Sequence, residues 1–325
     1  MTDALLGIVV VNYGSHALLE EHLAHLDAAA IPARVVVVDN FSSRAELASV
    51  TTLAAEQGWD VIASPTNLGF GAACNLGAAR AAELGCDTYL FLNPDAFLTS
   101  GAAAELAALS RQQPRSLISP VIRKPDGSVW FRGSRLDLRS GRVGAVHGAF
   151  ESGPDAWLTG ACLVAHSEIW SELGGFADDY FLYWEDVDLS RRVVDLGGSL
   201  IVAADISATH DVGGTQEESA AASGRAKSAV YYYYNCRNRL LFGTSHLGTR
   251  ELLGWLARTP RENWAILLRG GRKQFLQSPG LLWAGVRGTA VGVGLVAREL
   301  FQRMLSRGGP GRAVSEVVNQ VKSDA

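Results

Sequence analysis

Two runs of nearly uninterrupted apolar, mostly β-branched residues, LLGIVVVN at 5–12 and RVVVVD at 34–39, constrain this chain more than anything else in it. A strand with one wet face alternates apolar and polar residues. A run that is apolar throughout must be covered on both faces, as in parallel sheets flanked by helices. Helical spacing follows: leucines at helical intervals over 16–30, a helix over 44–57, an Ala-rich helix over 71–84 and another over 99–110. Shorter strands are predicted at 59–64 and 88–92. Strand and helix alternating in this order predict a doubly wound α/β sheet. Ligands of such sheets sit outside the carboxyl ends of the strands. The polar residues closing the strands are therefore site candidates: Asn12 and Tyr13, Asp39 and Asn40, Asn67, and the Asn93-Pro94-Asp95 turn.

Beyond Pro120 the pattern changes. Asp126-Gly127 between short apolar runs predicts a hairpin. One buried strand is expected over 157–165, a turn at 174–176, a helix within 181–194, a short strand at 199–204 and a helix over 231–242. From Arg250 the chain reads as helical and basic, with Trp255, Trp264 and Trp283. Residues 1–242 carry 17 Lys/Arg and 28 Asp/Glu, whereas residues 243–325 carry 12 and 5. A division at 242/243 is expected, with an acidic body that argues against nucleic acid as its ligand. The basic amphipathic tail suits an anionic membrane surface, or packs on the body or a second copy. With 48% hydrophobic and 19% charged residues, general disorder is excluded. The four cysteines form no C-x-x-C pair, which argues against a zinc site or a disulfide framework and suits a reducing cytoplasm. No signal peptide is expected. No membrane span is expected either, because Arg287 interrupts the apolar run 275–297.

Three carboxylates crowd into Trp184-Glu185-Asp186-Val187-Asp188 and repel one another. Arg191 and Arg192, three and four residues past Asp188, are placed to pair with it. The cluster reads as a solvated helix start, or as a site in which a carboxylate beside aromatic walls takes a proton from a hydroxyl. Asp95 either caps the next helix or holds a divalent cation. Asp39 either makes an Asx-turn or accepts from a nucleobase or ribose. The loop from Asn67 through Gly71 to Asn75 lacks the third glycine of a dinucleotide fingerprint and follows the wrong strand. Neither a P-loop nor a G-x-S-x-G elbow is present.

Taken in order, VVVNYGS (9–15), VVVVDNFSS (35–43), NLGFGAACNLG (67–77), FLNPDA (91–96), WLTGACLVA (157–165), LGGF (173–176), FLYWEDVDLSRR (181–192) and His210 resemble the inverting GT-A fold glycosyltransferases of family 2. The wording of FLNPD and YWEDVDL is most similar to bacterial rhamnosyltransferases that build surface polysaccharides. The resemblance implies a Rossmann-like, mostly parallel catalytic domain with a helical extension. It implies Asp186 as general base within the Glu185-Asp186 pair. Asp39 would contact the pyrimidine and Tyr13 would pack on it, with Asn12 and Asn40 beside them. Asn67, Gly71 and Asn75 would line the nucleoside, and Gly160 the floor of the acceptor cleft. Asp95 would be the surviving carboxylate of a D-x-D motif whose first position is Asn93, completed by His210 around Mg or Mn. Arg237 and Arg239 are the alternative diphosphate partners. The implied donor is dTDP-rhamnose, with a UDP-hexose or UDP-galactofuranose as alternative. The implied acceptor is lipid-linked or a growing surface glycan, reached at the inner face of the cell membrane. A sugar-nucleotide-binding assembly subunit without turnover is the rival outside catalysis.

Overall fold

The computed structural model describes residues 4–26, 30–146, 148–210 and 227–307. A large mixed sheet forms its centre. Strands β1 (Leu5–Asn12), β2 (Ala33–Asp39), β3 (Asp60–Ala63) and β4 (Cys86–Leu92) lie parallel in the order β3-β2-β1-β4. The sheet is extended by β5 (Ala96–Phe97), β6 (Ser116–Arg123) and β7 (Val129–Phe131), the last pairing antiparallel with β6 across the predicted Asp126-Gly127 turn. Strands β8 (Ser134–Asp137), β9 (Arg142–Ala145) and β10 (Ala156–Trp157) make a separate three-stranded sheet. β11 (Cys162–His166) returns to the main sheet antiparallel to β4, and β12 (Ser199–His210) pairs with β6 and β5.

Both faces of β1 are buried, as the run of β-branched residues requires. Leu6, Ile8 and Val10 join the core beneath α1 (His16–Leu18, continuing as a π-helical turn to Leu23), α2 (Arg44–Gln57) and α4 (Ser100–Gln112). Val9 and Val11 join the opposite core under α3 (Phe70–Glu83), α5 (Ser167–Leu173) and α6 (Glu185–Asp195). Each such side chain contributes about 1.5–3 kcal/mol on burial. Gly77 lets α3 lie directly on β1, since a Cβ there would overlap Val9.

Three expectations change. The strand expected over 157–165 is two strands in different sheets, because Leu158, Thr159 and Gly160 leave the ladder. The strand expected at 199–204 continues past a bulge to His210. The helix expected over 16–30 ends its regular α-turns at Leu18, and residues 27–29 lie outside the described residues.

α7 (Ala229–His246) runs through position 242, where the sequence suggested a division. It is followed by α8 (Thr249–Leu267), α9 (Gln274–Gln277) and α10 (Pro279–Arg307). α10 crosses α7 closely: a Cβ at Gly288 would strike the Tyr233 carbonyl, and one at Gly292 would lie 2.9 Å from Leu240 Cδ1. Trp255 is fully buried, so part of the tail packs as a core. Trp264 and Trp283 remain 51% and 63% exposed. Contrary to expectation, the helix over Pro279–Ser306 is long and apolar enough to cross a membrane by length and composition alone. One arginine, whose guanidinium stands over the Tyr233 ring, does not break it.

Candidate active site

Four features lie around the carboxyl ends of β1, β2 and β4: a side-chain amide network, a buried acid–imidazole pair, a carboxylate on α6 and an exposed tyrosine.

The network is built from side-chain amides. Asn12 donates through Nδ2 to Asp39 Oδ1 at 3.0 Å and to Glu46 Oε1 at 2.9 Å, and accepts from Ser15 N–H. Asn40 donates to Asn67 Oδ1 and to the Gly69 carbonyl, and accepts from Leu68 N–H at 2.8 Å. Gly69 turns with φ 86°, and a Cβ there would overlap Phe181. Asn12 and Asn40 therefore spend their polar atoms inside the protein and position their neighbours. Asp39 is fully buried, and its Oδ2 has no hydrogen-bond partner among the described residues. Burial raises its pKa, partly offset by the Asn12 bond. Tyr13, beside it, is 55% exposed. A buried acceptor next to an open aromatic face suits a planar base with an N–H on its edge.

Gly71 and Asn75, expected to line the nucleoside, serve packing. A Cβ at Gly71 would lie 2.8 Å from Phe176 Cβ. Asn75 clasps Phe176, donating to its carbonyl at 2.9 Å and accepting from its N–H at 2.8 Å.

At the end of β4, Asp95 and His210 are both buried, and His210 Nε2 stands 3.0 Å from Asp95 Oδ1. The β5–β12 pairing, His210 against Ala96, brings them together, and Trp130 lies against the imidazole. No group of three or more His, Cys, Asp or Glu arranged to hold a metal ion occurs among the described residues. One carboxylate and one imidazole fit a divalent cation that takes its other ligands from phosphate oxygens and water. Asn93 contributes through its backbone, its N–H donating to the Ala161 carbonyl at 3.0 Å.

That bond adjoins the next one. Gly160 N–H donates to Asp186 Oδ2 at 3.1 Å, and Val187 N–H to Asp186 Oδ1 at 2.9 Å. The break between β10 and β11 thus places a backbone donor on the α6 carboxylate, one residue from the strand beside Asn93. Burial pushes the Asp186 pKa up to about 6, against these two N–H groups. Glu185 is buried deeper, its Oε2 unpartnered among the described residues. Its pKa is raised well above the usual carboxylate range by burial and by the Asp186 charge. Tyr183 and Trp184, entering the helix, have φ of 66° and 76°. Asn238 on α7 donates to the Leu182 and Tyr183 carbonyls and holds this left-handed segment.

Behind α6, Arg192 meets Asp188 as expected, Nε to Oδ2 at 2.7 Å, while Arg191 pairs with Asp195 instead. His246 Nε2 stands 2.7 Å from Asp188 Oδ1, a partner 58 residues away that the sequence did not indicate. Arg237 donates to the Asp179 carbonyl and to Asn238. Arg239 is fully buried on the Ser140 carbonyl, Thr259 and Trp255, which removes it as a diphosphate partner at Asp95. Residues 211–226, which follow His210, lie outside the described residues.

Residues 7–163 match the model of "Glycosyl transferase family 2". The chain is 32% identical over 228 residues to the N-acetylglucosaminyl-diphospho-decaprenol L-rhamnosyltransferase of Mycobacterium tuberculosis, covering 61% of this chain and 72% of that protein. Among solved structures, the mannosyltransferase PcManGT from Pyrobaculum calidifontis, in complex with GDP-Man and Mn2+, aligns with a TM-score of 0.52 at 16% identity. That alignment covers 91% of this chain and 87% of the other. GalNAc-T7 with UDP, GalNAc and Mn2+ aligns with a TM-score of 0.53 at 16% identity, and this chain spans 64% of itself and 44% of that protein.

Proposed function

This chain belongs to glycosyl transferase family 2, and from that membership we propose that it transfers a sugar with inversion, L-rhamnose from dTDP-rhamnose in the first place, to a lipid-linked or growing surface-glycan acceptor. It is a glycosyltransferase with a GT-A catalytic fold. The choice of sugar and of acceptor leans on the mycobacterial relative.

One observation supports the assignment of the base above all others. Asp186 is a half-buried carboxylate aimed by the Gly160 N–H, with its pKa pushed up to about 6 and no basic side chain bonded to it among the described residues. A base with a pKa near the working pH is matched to deprotonating a hydroxyl. The acceptor hydroxyl gives its proton to Asp186 Oδ1 or Oδ2 as its oxygen attacks the anomeric carbon, and the nucleoside diphosphate leaves from the opposite face. Asp39 and Tyr13 hold the pyrimidine. Asp95 and His210 would hold a divalent cation, Mg or Mn, which when bound neutralises the charge of the leaving diphosphate. Glu185 lies buried behind the base, its carboxyl pushed well above the usual range by burial and by the Asp186 charge. No covalent nucleophile is required.

Replacement of Asp186 by Asn tests the reading: transfer should be lost while donor affinity, measured by calorimetry, persists. An Asp186→Asn enzyme retaining more than a tenth of the wild-type rate would remove the residue from this role. Chelation should abolish donor-dependent turnover, and full activity after chelation would sink the cation assignment to Asp95 and His210.

The reading includes a peripheral position on the inner membrane face. α10 turns Trp283, Val286, Phe301, Met304 and Leu305 outward, and Arg287 and Arg298 along it are exposed as well. Amphipathic helices of this composition lie in the interface plane. The full-length protein should float with anionic vesicles at low salt and release as salt rises; a chain that stays off such vesicles at low salt overturns this part.

A further inference from the structure

A cavity of about 340 Å³ reaches Trp184, the residue that caps α6 two positions before Asp186. Its walls come from β9, α7, α8 and the turn after α8, and the proposed reaction uses none of its charged residues. Arg239 forms the buried side, its guanidinium fixed by Ser140, Thr259 and Trp255. Arg142 pairs with Glu262, Nη2 to Oε2 at 2.8 Å, and that carboxylate is itself buried. Arg269 donates to the Tyr231 hydroxyl at 3.0 Å. Three guanidinium groups and one carboxylate leave an excess of two positive charges in a cavity of ligand size.

Arg142 and Arg269 are exposed and stand at the cavity as guanidinium groups that match phosphate oxygens, which accept in pairs, while the buried Arg239 adds its charge from beneath. A diphosphate esterified at both ends carries two negative charges, equal to the excess in the cavity. The exit is also marked. Ala265 and Ile266 line the cavity, and Trp264, next to them on α8, is half exposed. An apolar chain leaving the cavity would meet this indole first.

We infer that this cavity binds the diphosphate of a prenyl-linked acceptor, with the lipid leaving past Trp264. The inference rests on the lipid-linked acceptor of the proposed function. It adds a second diphosphate site, separate from the Asp95–His210 pair that faces the donor.

Farnesyl diphosphate is a suitable probe, titrated calorimetrically into the full-length protein with dTDP already saturating. Binding should persist under saturating dTDP and weaken about tenfold in Arg269→Gln. Arg142→Gln, on the separate three-stranded sheet, should weaken it comparably, and unchanged melting temperatures would show both variants folded. Displacement of farnesyl diphosphate by dTDP would place the probe in the donor site and overturn the inference. Equal affinity in wild type and both variants would overturn it too. Inorganic pyrophosphate binding as tightly as farnesyl diphosphate would remove the lipid from the assignment. These constants do not depend on turnover, so a chain that transfers no sugar from any nucleotide would sink the transferase reading without touching them.

Discussion

Asp186 and Asp188 sit two residues apart on one helix and live in opposite electrostatic worlds. Among the described residues Asp186 takes its hydrogen bonds from backbone N–H groups, and burial pushes it up to about 6. Asp188 is at least as deeply enclosed, and burial alone would raise it as well. The His246 bond and the Arg192 guanidinium instead hold its carboxyl below the usual range. Arg192 also grips the Leu173 and Gly175 carbonyls, so the back of α6 is anchored to the turn that Asn75 clasps from the other side. A carboxylate fixed by cations is a poor base, and one left without them is a poor anchor. The helix separates the two jobs by turning one face to each.

Asparagine at each position breaks the comparison in a different observable. Asp186→Asn should lower transfer by about 10²–10⁴ and leave the unfolding midpoint nearly unchanged. Asp188→Asn should do the reverse first, costing about 3–5 kcal/mol of stability by stranding Arg192 and His246, read from denaturant unfolding. Because the folded pKa of Asp188 is depressed, its contribution is present above the ordinary aspartate range and is lost as pH falls through its folded value. The stability gap between wild type and Asp188→Asn should therefore close in acid. The smallest effect is the sharpest test of Asp186. Its deprotonated form does the work, so kcat/KM should fall tenfold per pH unit below about 6. If the acid limb lies near 4 instead, burial is not what sets this base.

The parallel half of the fold was legible in the sequence because its signal is local. Runs apolar at every position admit one environment, and β1 spans Leu5–Asn12 as expected. The Asp186 carboxylate and the Asp95–His210 pair were picked out only through the order of motifs. What the sequence hid was the wiring. Glu46 holds Asn12 and His16 across 34 and 30 residues, Asn238 holds the left-handed entry to α6, and His246 reaches Asp188. Each is a common polar residue whose meaning depends on a distant partner. The sequence also misjudged 157–165, because hydropathy is blind to a backbone N–H diverted from the ladder to Asp186. Gly160, in the middle of that run, was the available cue.

The Asn75–Phe176 clasp spans 101 residues, and β4 waits 70 to 78 residues for β11, its antiparallel neighbour (Leu92 against Cys162, Thr88 against His166). A chain emerging from a ribosome can lay down β1, β2, β3 and β4 with the helices between them while the wall carrying Gly160 and Asp186 has not yet been made. The half that carries Asp39 and Asp95 is therefore assembled first, with the edge of β4 open until residues 162–166 arrive. Contacts of such separation close slowly. During that interval the exposed edge of β4 is where a nascent chain of this fold is most open to pairing with the wrong strand.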